Sequence, residues 1–91
     1  MNNKIALESL AMDLKRVALG YYRNSSSMGD RFYQEALKRK EEVDVSQIKP
    51  YMKKVFEKID LIAGMSNEEI AENALLLSTL VQNYAIRFFS V

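Results

Sequence analysis

Residues 66–89 read SNEEIAENALLLSTLVQNYAIRFF, which is the longest uninterrupted helical pattern and the most apolar stretch of the chain. Ile70, Ala74, Leu77, Val81 and Tyr84 recur at alternating spacings of four and three, which is typical of one buried helix face. A helix over this range would be about 36 Å long at 1.5 Å per residue. We predict that the other helices are arranged around it.

The start of this helix is marked by local sequence signals. Ser66 and Glu69 have the spacing of a capping box, and Met65 and Ile70 have the spacing of a hydrophobic staple. Gly64, just upstream, is predicted to end the preceding helix in the left-handed conformation. These signals place the boundary between the last two helices within a few residues.

Residues 3–23 predict the first helix. One apolar row follows spacings of three and four and consists of Leu7, Leu10, Leu14, Val17 and Tyr21. A second row, at a spacing of seven, consists of Ile5, Met12 and Leu19. Because apolar residues cover so wide an arc, this helix is predicted to contact neighbours on two sides.

Two more helices are predicted in the middle of the chain. Asn, three Ser and Gly between residues 23 and 30 are typical of a loop, so the second helix is placed at 30–43, with Ser27 or Asp30 as its cap. The third helix is placed at 46–63. Short joints favour antiparallel neighbours, so the sequence predicts one all-α domain over residues 1–91. Its expected form is an up-and-down four-helix bundle with a short second helix and a long C-terminal helix.

The composition argues against an enzyme. The 91-residue sequence contains no His and no Cys, so the commonest general base, the thiolate nucleophile and the usual zinc ligands are missing. Glu68, Glu69 and Glu72 are explained by the positive end of the helix dipole without a metal ion. We therefore expect no catalytic residue, no cofactor and no metal site.

The sequence also argues against a membrane location. No stretch approaches the ~20 uncharged apolar residues that cross a bilayer. Glu8 and Asp13 interrupt the apolar pattern near the N-terminus before it reaches the length of a signal peptide. We expect a cytoplasmic protein.

Basic residues are concentrated in the second and third predicted helices. A basic face that contacts phosphate groups would consist of Lys38, Arg39, Lys40, Lys53 and Lys54. However, Glu41, Glu42 and Glu57 lie among them, and the net charge of the chain is only +1. We favour a solvated face of mixed charge over a nucleic-acid interface.

Residues 57–84 resemble the helix-turn-helix of LuxR-type transcription regulators. The motif of that family is a Gly, an apolar residue, Ser-Asn, any residue and then Glu-Ile-Ala. The matching residues in this sequence are Gly64, Met65, Ser66, Asn67, Glu69, Ile70 and Ala71. Val81 and Asn83 are in register with the recognition helix of the family. The resemblance implies duplex DNA binding and a break in the helix near residues 75–78. Residues 74–77 read Ala-Leu-Leu-Leu and contain no turn residue. We therefore favour an unbroken helix and keep the DNA-binding regulator as the alternative.

The last helix carries more apolar surface than three shorter neighbours are expected to cover. The side chains expected on its uncovered flank are Leu75, Leu76, Leu80 and Ile86. Exposed apolar patches usually mark interaction sites. The sequence thus predicts a non-enzymatic interaction or oligomerisation module, whose partner is another protein or a second copy in a symmetric dimer.

Overall fold

The computed structural model describes residues 2–89, which form an up-and-down bundle of four α-helices. They are α1 (Asn3–Tyr22), α2 (Ser26–Glu42), α3 (Pro50–Leu61) and α4 (Asn67–Phe89), with 3₁₀ turns at Val45–Gln47 and Ile62–Gly64. The bundle measures 37 × 19 × 19 Å. The predicted all-α bundle is confirmed, with α2 shorter than α1 and α4. None of the helices within these residues is long and apolar enough to span a bilayer.

α1, rather than the longer α4, lies at the centre of the bundle. It packs along α2 on one side and along α4 on the other. Leu7, Leu10, Leu14 and Val17 of its first apolar row are fully buried, as predicted. The core therefore extends along the length of α1, and each of its two neighbours covers one flank.

The turn between α1 and α2 is shorter than predicted. Asn24 takes the left-handed conformation with φ of 59°, and the Ser25 N–H donates to the Gly20 carbonyl over 2.8 Å. This arrangement is a Schellman motif, in which Asn serves where Gly is more usual. α2 then begins at Ser26 instead of residue 30, and neither Ser27 nor Asp30 caps it. Gly29, interpreted above as part of a loop, is a buried helical residue that packs against α1.

α3 also begins later than predicted. Residues 45–47 form the 3₁₀ turn, and the helix starts at Pro50 with Lys49 as its N-cap. Pro is well suited to the first helical position because its missing N–H would have no helical partner there. The Lys49 N–H donates to the Tyr84 hydroxyl over 2.9 Å, and the Tyr33 hydroxyl donates to the Ile59 carbonyl over 2.7 Å. These two bonds fix α3 to α4 and to α2.

Two adjacent asparagines at the start of α1 have different roles. The Asn2 carboxamide oxygen accepts the Ile5 N–H over 2.9 Å and caps the helix. Asn3 is buried, and its side chain accepts the Asp44 N–H over 2.9 Å and donates to the Asp44 carbonyl over 3.1 Å. Asn3 thereby fixes the joint between α2 and α3 to the start of α1.

The start of α4 confirms the predicted capping box. The Glu69 N–H donates to the Ser66 hydroxyl over 3.3 Å, and that hydroxyl donates to the Glu69 carboxylate over 2.9 Å. Gly64, however, is not left-handed, because the chain leaves α3 through the 3₁₀ turn Ile62–Gly64 instead of an αL cap. From Asn67 to Phe89 α4 is continuous.

Candidate functional site

A groove runs along the outer side of the bundle between the antiparallel helices α1 and α4. Its floor is made of small residues, which are Ala11 and Ala18 on α1 and Ala71 and Ser78 on α4. The Ser78 hydroxyl donates to the Ala11 carbonyl over 2.8 Å. Because the floor residues are small, the two helix axes lie close together and leave two hollows of about 680 and 460 Å³ above them.

Large apolar side chains stand on both rims of this groove. Met12, Leu19 and Tyr22 line it from α1. Leu75 and Ile86 line it from α4. Ile5 belongs to the same row of α1 as Met12 and Leu19. We call these six residues the α1–α4 face. Their exposed fractions run from 37% for Leu19 to 81% for Tyr22, so the bundle leaves all of them substantially open to solvent.

The four predicted interface residues of α4 are all exposed but do not share one surface. Leu75 and Ile86 belong to the α1–α4 face, and they are 52% and 57% exposed. Leu76 and Leu80 are 57% and 41% exposed, and they do not line the groove. Adjacent residues on a helix point about 100° apart, which is why the run of leucines cannot form a single patch.

The second apolar row of α1 was expected to be buried against a second neighbour. The structure corrects this, because Ile5 and Met12 are 49% and 55% exposed and Leu19 is 37% exposed. The sequence signal for these residues was their spacing of seven, which marks a helix face but does not say what covers it. This row is the part of the candidate site that sequence reasoning did not assign to an interface.

The basic face considered from the sequence is divided by ion pairs within α2 and between helices. Lys40 Nζ lies 2.6 Å from the Asp60 carboxylate of α3, and Lys38 pairs with Glu35 over 3.7 Å. Arg39 contacts two carboxylates, those of Glu42 and Asp13. Within residues 2–89, Lys53 and Lys54 have no carboxylate within 4 Å. Three of the five basic residues are therefore occupied with neighbouring acids.

Among residues 2–89, Asp13 is the one carboxylate that the fold buries. Its side chain lies 3.3 Å from the Arg16 guanidinium and 3.8 Å from Arg39 Nε. Burial raises the pKa of Asp13 above its ordinary value, and this outweighs the lowering by the two arginines. Arg39 approaches from α2, so the pair joins α1 to α2. We assign it a structural role.

The helix-turn-helix alternative requires a turn near residues 75–78. α4 is an unbroken helix through this range, so the resemblance to LuxR-type regulators does not extend to the turn or to a separate recognition helix. In comparisons with known proteins, no family model, no curated protein and no solved structure matches the chain.

Proposed function

We propose that this protein is a non-enzymatic interaction module whose binding surface is the α1–α4 face. The observation that carries the proposal is an exposed apolar row on α1. It consists of Ile5, Met12 and Leu19, which are spaced seven residues apart, and it lies across the groove from Leu75 and Ile86. Exposed apolar residues that follow helical periodicity are typical of a helix with a further neighbour. Among residues 2–89 of the chain, no helix packs against this face.

The distribution of exposed apolar residues supports this choice of surface. Of twelve large apolar side chains that are exposed between residues 2 and 89, six belong to the α1–α4 face, while α2 carries none. Single exposed apolar residues are normal on any protein surface. Their concentration on two adjacent helices is what marks an interaction site.

The shape and polar margin of the groove also suit a protein partner. The alanine floor leaves room for side chains of a partner to enter between the rims. Lys15, Glu68 and Glu72 stand at the edges of the larger hollow. An apolar centre with a charged rim is the usual arrangement of protein interfaces.

The proposal can be tested with a photo-crosslinking amino acid placed at Leu75, in the cells that produce the protein. Leu61 provides a matched control, because it is 66% exposed on α3 and lies outside the α1–α4 face. We expect a discrete crosslinked protein species from position 75 and none from position 61. Equal crosslinking from both positions, or none from either, would contradict an interface on this face.

A further inference from the structure

We propose that the partner of the α1–α4 face is a second copy of this chain, antiparallel to the first. The two-fold axis passes at the level of Met12, so that α1 faces α1 and α4 faces α4 of the partner. This inference rests on the proposed function and names the occupant of the same surface. Three independent features of the face support it: the symmetry of α1, the symmetry of α4, and the placement of charges.

The exposed apolar row of α1 is symmetric about its middle residue. Ile5 stands seven residues before Met12, and Leu19 stands seven residues after it. In an antiparallel pair of helices with a two-fold axis at Met12, the Met12 side chains of both copies meet. Ile5 of each copy then lies level with Leu19 of the other, so every apolar residue of the row faces an apolar residue.

The exposed face of α4 has a matching symmetry. Glu68, Glu72, Leu75, Thr79, Gln82 and Ile86 are all exposed and follow spacings of four and three, as in the seam of a coiled coil. The positions of this row, though not its residue types, are symmetric about residue 77. The hydrogen bond from Ser78 to Ala11 sets those two residues at one level, so residue 77 of α4 lies level with Met12 of the antiparallel α1. One two-fold axis therefore serves both helices.

The charges of the face are complementary in this arrangement. Glu8 lies four residues before Met12 and Lys15 three residues after it, so each Lys15 lies within about 1.5 Å of the level of the partner's Glu8. Residues 73–86 of α4 carry no charge at all.

The alternative arrangement, with the two-fold axis along the helices, lacks the match between apolar residues. A two-fold axis along the helices would instead set α1 of each copy against α4 of the other, so that Leu19 would lie between the levels of the partner's Glu68 and Glu72. It would also remove the self-matching of the row centred on Met12. Apolar residues of α1 would then face carboxylates instead of apolar residues, so the antiparallel arrangement is the one that the face favours.

The area of the face is sufficient for a stable dimer. At about 200 Å² for a fully exposed large side chain, the six residues leave on the order of 700 Å² accessible in each chain. Standard interfaces bury about 800 Å² per partner. The six residues with their charged rim therefore reach the size of a specific interface.

The arrangement can be tested by cysteine crosslinking, because the sequence contains no Cys and only introduced thiols react. Met12→Cys is expected to give a covalent dimer with a short bismaleimide. Leu19→Cys alone is expected to give none, because the Leu19 positions of the two copies would lie about 21 Å apart along the helix direction. A mixture of Ile5→Cys and Leu19→Cys chains is expected to give the mixed covalent dimer.

The outcomes separate this inference from the proposed function. A self-crosslinked Leu19→Cys dimer, or a dimer in light scattering that Met12→Cys does not trap, would overturn the antiparallel arrangement. A monomer by light scattering at high micromolar concentration would overturn the choice of a second copy. In that last case, a crosslink from position 75 to a different protein would still support the interaction module. The absence of such a crosslink would contradict both proposals.

Discussion

Gly20 and Gly29 are in direct backbone contact where α1 meets α2. A Cβ atom added to Gly20 would lie 2.6 Å from the Gly29 nitrogen and 2.8 Å from its Cα. A Cβ atom added to Gly29 would lie 2.5 Å from the ring of Tyr21. The two glycines therefore set the separation of the helices at this end of the bundle.

Gly20→Ala is expected to destabilise the protein, because the clash is with backbone and a helix must move to relieve it. We expect the free energy of unfolding to fall by roughly 1–3 kcal/mol, as for other overpacked sites. Gly64→Ala is the matched control, since nothing lies within 4 Å of the added Cβ and its φ is not positive. That variant is expected to be neutral or up to about 1 kcal/mol more stable. Urea unfolding of both variants checks this, and equal losses would contradict the close contact.

The burial of Asp13 predicts that the free energy of unfolding falls as the pH rises through the pKa of its carboxyl group. Its pKa is raised by burial, so the native state holds the proton more tightly than the unfolded chain does. The wild type should therefore lose stability relative to Asp13→Asn as the pH rises from about 4 through the raised pKa. Urea unfolding at several pH values measures the difference. Glu57→Gln, at an exposed position, is the control and should leave the pH profile unchanged.

The hydrogen bond of the Tyr21 hydroxyl predicts that the free energy of unfolding falls at alkaline pH. It donates to the Asp30 carboxylate, and burial together with this bond raises the pKa of Tyr21 from about 10 to about 12. The stability is present in full below pH 10 and is lost as the pH rises through 12. Tyr21→Phe should remove this loss and also cost roughly 1–3 kcal/mol at pH 7, because a bond to a charged acceptor is gone. Tyr51 is the control, because it is 52% exposed on α3 and lies outside the α1–α4 face, so Tyr51→Phe should unfold as the wild type does.

Charge reversal across the proposed dimer should show compensation. Lys15→Glu and Glu8→Lys are each expected to raise the dimer dissociation constant about tenfold, since two surface pairs per dimer become repulsive. The double variant should recover most of the affinity, because Glu and Lys then simply exchange places. Sedimentation equilibrium at low and high salt measures this, and the effects should shrink at high salt. Failure of the double variant to recover would argue against the contact between these residues.

Features encoded by neighbouring residues were predicted well from the sequence. Ser66 and Glu69 fixed the start of α4, because a capping box acts within one turn. The row from Leu7 to Val17 identified the buried side of α1, because its period matches the helix. The Ala-Leu-Leu-Leu run correctly indicated a continuous α4.

Features that depend on contacts between distant residues were not predictable in the same way. Gly29 packs closely against Gly20 of α1, and no local rule links the two positions. Asp13 is buried because Arg39 approaches it from α2. The same limit applies to Met12, since periodicity identifies an apolar helix face without showing whether the chain itself covers it.

The central position of α1 has a consequence for the order of folding. Its contacts with α2 close a short loop, whereas the bond between Ala11 and Ser78 joins residues 67 positions apart. Closing the longer loop costs more entropy, so the α1–α2 hairpin is expected to form before α4 docks. Gly20→Ala should then chiefly slow refolding, and Ser78→Ala should chiefly speed unfolding, which stopped-flow chevron plots can distinguish.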